Sequence, residues 1–590
     1  MTGQKMIEIE PQMLADLTAI FGAERLAAMR ERLRDPDAIM TPDALSAMKA
    51  CSLSFSRTLL DKMVEERWQI RCRNIEVDRE GNGFAVYDLT VGRHSFSLIV
   101  RACWDGEEKP GRRMDRTADF IASLTRHRAD DALIARELAA MAIPHWGGRT
   151  DAASYGWTAA NRSQRFFEHA VERLEHGEQP DLDELAQGGG YVIRNAGFYG
   201  NGRAGAASWA GIEDDHPFAV PYHMDLFLVY MWREIGLDFV DAIAAARSPR
   251  AARLSPSSRR YIGVGNSSGL GMTCALVRWP QWVNVWCLTR ELALAYAKTA
   301  PSSSVHAKLP QLQDRLARAI RYYREVAGPT HGLTSHEVLA DDLERLLSQL
   351  HVWSEGPEGL SWAILCEHAE NSLGGDGLEQ LHAFLIDLYP EATGPMRRLV
   401  SPAMRQTRRL DPHMTVGALR RLMAKTYGWV LRVDRSTPER CWHFWYHSEE
   451  AGEQRRGERH IDPGVEFETF VDVVGAVQLL AQHLEKREDD ELVARYLLAH
   501  PDDAYIVSRI QFMAGKPYGE IRGNLVDRDF LPIKVIRFFL SIFGFESGAP
   551  RSIAWVRGVL LQGAPSPAEI AQGEMRDWLM PVKPVSEPAE

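Results

Sequence analysis

The chain has 590 residues, of which 45% are hydrophobic and 25% charged, and its formal net charge is -11. These values exclude a disordered chain, a collagen-like fibre and a disulfide-stapled mini-protein. The balance of 80 acidic against 69 basic residues argues against a protein that coats nucleic acid, which needs a basic face. The length exceeds what one hydrophobic core usually fills, so several domains are expected.

Cysteine usage and the first residues predict the compartment. The seven cysteines are an odd number at irregular spacings and form no CxxC pair, which is typical of reduced thiols. Residues 1–14 contain no apolar segment of the kind that directs secretion. No apolar run reaches the roughly 18 residues that span a bilayer. We therefore expect a soluble cytoplasmic protein with no membrane partner.

Hydrophobic periodicity in the first part of the chain predicts helices around one small sheet. Apolar residues at spacing two over 69–104, with turn signals at Gly81-Asn82-Gly83 and at Gly92, predict three antiparallel strands. The helices are expected at 12–34, 43–68, 115–142, 161–176 and 222–246.

The rest of the chain is predicted to be mostly helical. A strand at 260–264 is expected to enter a glycine-rich loop, and a helix over 272–298 follows with an interruption at Pro280. Helices are also expected over 305–390 and from 473 to 543, and short strands at 429–433 and 441–447. The expected fold class is α+β, predominantly helical and multi-domain, with two small antiparallel sheet regions at 69–104 and 428–470. The expected domains are 1–110, 111–330, 331–427 and 428–590.

The segment 263–271 is the first candidate for a binding site, because it combines four glycines with Asn266, Ser267 and Ser268. Clustered glycines let the backbone approach a ligand, and N–H groups ahead of a helix can hold an anion. The spacing Gly265-x-x-x-Gly269-x-Gly271 resembles the phosphate-binding turn of the short-chain dehydrogenases, which implies a nucleotide cofactor. The Tyr-x-x-x-Lys motif of that family does not occur in this chain. An anion-binding loop, a nucleotide-binding turn and a turn with only a packing role all stay open.

A second glycine-rich segment, 197–205, carries Tyr199, Asn201 and Arg203 at alternate positions. A tyrosine can relay a proton, and an arginine can hold a carboxylate or phosphate at two points. The alternative is a surface loop without a binding role. Because the two segments lie so close in sequence, we expect them to line one pocket.

Histidines and carboxylates give weak metal candidates. His216, His223 and Asp225 lie between the two glycine-rich segments, but their spacing matches no zinc signature. His443 and His447 would share one face of a helix and hold one ion, whereas on a strand they would stand roughly 13 Å apart. The alternation with aromatic residues favours the strand.

A basic stretch at 396–425 contains eight Lys or Arg residues and one acid, Asp411. Such a stretch can bind a polyanion or a protein partner, and it can equally pair with acidic segments of the same chain, such as 488–491. No known nucleic-acid-binding motif accompanies it.

Together these features predict an enzyme that hydrolyses a small carboxylate or phosphate metabolite, or eliminates a group from it. The alternatives are an oxidoreductase that uses NAD(P) or flavin at 263–271, and a nucleic-acid- or protein-binding scaffold that uses 396–425. No cofactor is favoured, a divalent metal or a nucleotide cofactor stays open, nucleic acid is not the expected partner, and a homo-oligomer stays open. The catalytic candidates are Tyr199, His223, Arg203 and Glu291. The substrate-binding candidates are Asn201, Gly265, Asn266, Ser267, Ser268, Gly269 and Arg290. We expect Arg203→Ala and Asn266→Ala to abolish turnover with thermal unfolding nearly unchanged.

Overall fold

The structure is a computed structural model, and most of the chain is helical. It describes residues 7–104, 118–142, 153–187, 190–195, 212–326, 333–354, 360–406, 408–441, 444–448, 453–457, 472–527, 529–548, 550–552, 555–575, 577–581 and 583. None of the helices within these ranges is long and apolar enough to cross a membrane.

Nine of the described strands form one mixed sheet, in the order β1-β2-β3-β4-β5-β6-β7-β11-β10. The pair β6 and β7 is parallel, and the other described neighbours are antiparallel. Strands β8 and β9 form a separate hairpin. The strands β1 to β11 are Gln69–Val77, Gly83–Val91, His94–Ala102, Phe120–Thr125, Ser154–Arg162, Tyr191–Asn195, Gly263–Gly269, Phe444–Ser448, Glu453–Gly457, Pro550–Ser552 and Trp555–Leu560.

The described helices are numbered in chain order. Helices α1 to α8 are Pro11–Phe21, Ala23–Arg30, Pro36–Ile39, Pro42–Ala47, Phe55–Glu65, Asp131–Ala140, Phe167–Glu175 and Leu182–Gln187. Helices α9 to α16 are His223–Arg247, Pro256–Tyr261, Leu270–Arg278, Pro280–Lys298, Ser302–Glu325, His336–Ser354, Trp362–Ser372 and Gly375–Asp387. Helices α17 to α23 are Pro390–Met404, Val416–Tyr427, Val473–Glu485, Val493–Ala499, Ala504–Met513, Pro532–Phe543 and Pro567–Gln572.

The prediction of two small sheets is corrected by the structure. The three strands predicted within 69–104 form with the expected turns, but they are the first part of the nine-stranded sheet. In the second region only β8 and β9 are strands, and Val430–Arg432 is a 3-10 turn where a strand was expected. The sheet therefore joins strands from three of the four predicted domains, and the domain boundaries stay a prediction.

Several predicted helices have different boundaries. The predicted helix 115–142 begins instead with strand β4, and only α6 is helical in this region. The error has a physical origin, because a short apolar run in a buried strand has no periodicity that separates it from a helix. The predicted helix 12–34 divides at Gly22, whose φ of 77° interrupts the helical backbone. The break before Pro280 is confirmed.

The core is formed mainly by helices packed on the sheet and on each other. Helix α9 is buried along most of its 25 residues and lies against β1, β5, β6 and β7. Helix α22 contributes the run Phe538–Phe543, which is hydrophobic except for Ser541 and is buried throughout. Helix α16 is also buried nearly throughout, although it carries Asp376, Glu379 and His382. Such charged groups persist inside a core only when they are paired.

Candidate active site at the carboxyl edge of β6 and β7

The strands β6 and β7 are parallel neighbours and end at one edge of the sheet. Arg194 of β6 lies opposite Gly265 of β7, so the chain leaves β6 beside residues 266–271. The carboxyl ends of parallel strands lie at one edge of a sheet, which is where α/β proteins commonly bind ligands. Helix α9 connects the two strands and must run back across the sheet, so its first turn lies at this same edge. Helix α11 begins there too, directly after β7.

The predicted loop 263–271 is instead a strand up to Gly269. Strand β7 lies between β6 and β11 and forms backbone hydrogen bonds with both strands. A side chain at Gly265 would place its Cβ 2.5 Å from the ring of Tyr191, so this glycine permits close packing inside the sheet. The ladder to β11 uses the backbone of Val264 to Gly269 on one side of the strand, so these residues do not form the turn implied by the dehydrogenase-like spacing. Their role in binding an anion stays a prediction.

Two polar side chains of β7, those of Asn266 and Ser268, are hydrogen-bonded to each other. Asn266 and Ser268 are 4% and 3% exposed, and the Ser268 hydroxyl donates to Asn266 Oδ1 at 2.8 Å. Alternation along the strand places both residues on one face. The side chains of Ser267 and Gly269 to Gly271 lie outside the described part of the structure.

Helix α9 begins with the most unusual local structure at this edge. Tyr222 precedes it with a φ of 68°, a left-handed conformation that costs free energy for a bulky residue. His223 is 2% exposed, and its Nδ1 has no hydrogen-bond partner among the described residues. Burial, with the nearby charge of Lys62, lowers the pKa of His223 to about 3, while the carbonyl of Pro217 opposes this effect. His223 is therefore neutral at neutral pH, with an unused buried nitrogen.

Aromatic rings pack beside this first turn. The ring of Tyr222 contacts Trp282 at 4.1 Å and Phe543 at 4.7 Å between centroids, and it stacks on Phe55 at 5.0 Å. The Trp282 indole in turn donates to the carbonyl of Met404 at 3.1 Å. These contacts bring the end of helix α17 to the start of α9.

Part of the basic stretch lies at the same edge, which sequence reasoning did not anticipate. Arg405 donates to the carbonyl of Ile212 at 3.0 Å and pairs with the exposed Asp214. Arg408 donates to the carbonyl of Arg278 at the end of α11. Lys62 donates to the carbonyl of Pro217 at 3.1 Å.

The structure does not describe the candidates of the segment 197–205. Tyr199, Asn201 and Arg203 lie outside the described residues, between the end of β6 and Ile212. The expectation that they share one pocket with residues 263–271 stays a prediction. The parallel pairing requires only that the segment containing them leaves β6 beside residues 266–271.

Arg290 and Glu291 are buried in a cluster of ion pairs on α12, and their role at the substrate stays a prediction. Glu291 lies nine residues beyond Trp282 on α12, a rise of about 13 Å. The Arg34 guanidinium binds both oxygens of Glu291, at 2.9 and 2.7 Å, and also contacts Glu379. Arg290 binds Glu379 at 2.5 Å and His382 Nδ1 lies 3.4 Å from the same carboxylate. We name Arg34, Arg290, Glu291, Glu379 and His382 the buried ion cluster.

The electrostatics of the buried ion cluster are those of a balanced structural network. Burial alone would raise the pKa values of Glu291 and Glu379, but the facing arginines outweigh it and lower both. Burial lowers the pKa of His382 to about 4, against the opposing charge of Glu379. Two arginines therefore face two ionised carboxylates around a neutral imidazole. Such an arrangement ties Arg34 near the N-terminus to helices α12 and α16.

The predicted metal ligands do not converge. His216 Nδ1 accepts from the backbone N–H of Phe218 at 3.1 Å, and its Nε2 lies 2.7 Å from the Tyr155 hydroxyl, so both nitrogens are occupied. Burial, with the charges of His94 and Lys62, lowers the pKa of His216 to about 4. Among the described residues, the one group of three His, Cys or carboxylate ligands whose atoms meet does not include His216, His223 or Asp225.

Of the other metal pair, His443 and His447, the structure describes only the backbone of His447. Strand β8 is formed over Phe444–Ser448, so His447 lies on a strand, opposite Gln454 of β9. His443 and the side chain of His447 are outside the described residues. The strand removes the helical spacing on which a shared ion depended.

Other cations of the basic stretch pair within the chain. Arg397 pairs with Asp61, Lys425 with Glu8, and Arg420 with Asp489 of the predicted acidic segment. Arg420 also donates to the carbonyls of Leu484 and Arg487. These contacts match the alternative in which the stretch serves as an internal ion-pair partner.

Comparison with protein-family models, with curated proteins and with solved structures returns no match to this chain.

Proposed function

We propose that the chain is an enzyme that hydrolyses a small carboxylate or phosphate metabolite, or eliminates a group from it, at the carboxyl edge of β6 and β7. One observation supports this most strongly: the parallel strands β6 and β7 end at one edge, β6 two residues before the segment 197–205 and β7 within the segment 263–271. The unused nitrogen of His223 is in the first turn of α9, and the cation Arg405 binds the segment just before α9. No cofactor is needed for either reaction in this proposal.

The roles in this proposal follow from charge and protonation. Arg203 binds the carboxylate or phosphate at two points, and Arg405 and Arg408 add to the attractive field. His223 is neutral at neutral pH, because burial lowers its pKa to about 3, so it serves as a hydrogen-bond or proton acceptor. Tyr199 is then the proton donor. Asn201 orients the carbonyl or phosphoryl oxygen.

Ligand binding tests the proposal before any substrate is known. Thermal unfolding is measured with inorganic phosphate, pyrophosphate, citrate and succinate, because a ligand that binds the folded state raises its stability. We expect at least one of these anions to raise the unfolding temperature of the parent protein but not that of Arg203→Ala. Arg421→Ala is the matched control, since Arg421 is an exposed cation of α18. An equal response in Arg203→Ala and the parent protein would refute the assigned site.

Turnover is then measured by phosphate release from phosphate monoesters and by alkene absorbance with hydroxy acids. Arg203→Ala should abolish any activity found while leaving thermal unfolding unchanged. Asn266→Ala is no longer a clean test, contrary to the expectation from sequence. Its loss would leave the buried Ser268 hydroxyl without an acceptor and cost about 1–3 kcal/mol.

A further inference from the structure

A second cluster of ligand-type side chains lies in the C-terminal helices, away from the site at β6 and β7. His483 is in the last turn of α19, His500 follows α20, and Asp503 ends the 3-10 turn Pro501–Asp503. One ligand atom of each residue lies within 4.8 Å of the other two. It is the one such trio among the described residues.

The carboxylate at the centre of this trio is held from two sides. His483 Nδ1 lies 2.9 Å from Asp503 Oδ2, and the Tyr496 hydroxyl donates to the same oxygen. A tyrosine that fixes a ligating carboxylate in this way is a common outer contact of metal sites. The side chain of Asp503 is 10% exposed and that of His483 is 34% exposed, so an ion can enter from solvent at His483.

We propose that His483, His500 and Asp503 bind one divalent transition-metal ion of the zinc type. Two imidazoles and one carboxylate are ligands that zinc prefers, and three protein ligands leave a coordination position for water. The His483 and His500 rings lie stacked, with centroids 5.2 Å apart and planes 28° apart. Binding one ion requires these rings to tilt, which the part-exposed His483 can do.

Arg487 gives the proposal a distinctive consequence. Its guanidinium lies 2.8 Å from His500 Nε2, and because a guanidinium only donates, this nitrogen carries a lone pair. A metal ion that uses Nε2 must displace Arg487. The displaced guanidinium has Glu491 nearby, now at 3.7 Å, as an alternative partner. Removal of Arg487 should therefore strengthen metal binding, whereas removal of a ligand should weaken it.

The test uses the full chain, stripped with a chelator and titrated with ZnCl₂ in a calorimeter. We expect one ion per chain, and a loss of affinity of at least about tenfold in His483→Ala, His500→Ala and Asp503→Asn. Arg487→Ala should bind zinc several times more tightly than the parent protein. His413→Ala, which removes an exposed histidine on another element, should bind as the parent does. Affinity should also fall with decreasing pH, because protons compete for the ligands.

A second readout separates a built site from weak surface binding. CoCl₂ in place of zinc should give visible absorption bands that disappear in Asp503→Asn, a variant that keeps the side-chain shape. Circular dichroism checks that each variant is folded. The proposal is overturned if the parent protein binds no ion more tightly than about 100 μM, which corresponds to roughly 5.5 kcal/mol. It is also overturned if binding survives in folded Asp503→Asn, or if Arg487→Ala weakens it.

Discussion

At the scale of single residues, the described interior contains a cluster of charges that pair with one another. Arg290 is wholly buried, and Glu379 binds both it and Arg34. A buried charge costs much more when its partner is removed than the intact pair contributes. Arg290 and Glu291, which the sequence analysis named as site candidates, are held in place by this pairing.

The substitution Glu379→Gln tests the structural role of the buried ion cluster. It leaves Arg290 and Arg34 with one carboxylate fewer, and we expect a loss of about 3 kcal/mol in the free energy of unfolding. Urea denaturation at neutral pH measures this. Glu391→Gln is the control, because Glu391 is exposed and its Lys308 contact is 3.9 Å long. A loss below about 1 kcal/mol in Glu379→Gln would contradict the assigned role.

At the scale of elements, the glycine-rich strand β7 shows how one sequence pattern has two structural meanings. Glycines allow the tight turns of a binding loop, but they also allow a neighbouring ring to approach a strand closely. Here the ring of Tyr191 occupies the space that a side chain at Gly265 would fill. The strand is therefore specified by packing against β6 as well as by its ladder to β11.

Gly265→Ala should destabilise the protein by about 1–3 kcal/mol, because its Cβ would overlap the Tyr191 ring. Gly394→Ala is the matched control within α17. A Cβ there meets only Arg397 Nη2 at 3.8 Å, and alanine is the better helix former by up to about 1 kcal/mol. Chemical denaturation should therefore change in opposite directions for the two variants. Equal effects would show that the close approach at Gly265 has no energetic weight.

At the scale of the whole molecule, buried neutral histidines link stability to pH. Burial lowers the pKa of His223 to about 3, and of His336 and His382 to about 4. In the unfolded chain these histidines take up protons below about pH 6.5, while the folded chain does not until pH 4 or lower. Their contribution to stability is complete above pH 6.5 and decreases as the pH falls.

Between pH 6.5 and 4.5, proton uptake by each of these three histidines in the unfolded chain should lower the free energy of unfolding by roughly 2 kcal/mol. Carboxylates with lowered pKa values, such as Glu291 and Glu379, act in the same direction only below about pH 4.5. Urea midpoints at pH 7 and pH 5 measure the histidine effect. His223→Gln should reduce this pH dependence, whereas the exposed His413→Gln should not. A stability that is constant between pH 7 and pH 5 would contradict the burial argument.

The sequence by itself determined the elements whose signals are local. The meander β1 to β3 follows from the alternation of apolar residues and from its glycine turns. Helix α9 follows from helical periodicity, and the break at Pro280 follows from the missing proline N–H. The tertiary structure decided what depends on distant partners. It placed Gly263, Gly265 and Gly269 in a strand, through pairing with Trp555–Leu560 nearly 300 residues away. It also paired Glu291 with Arg34, 257 residues apart, because a buried charge needs a partner that sequence spacing does not reveal.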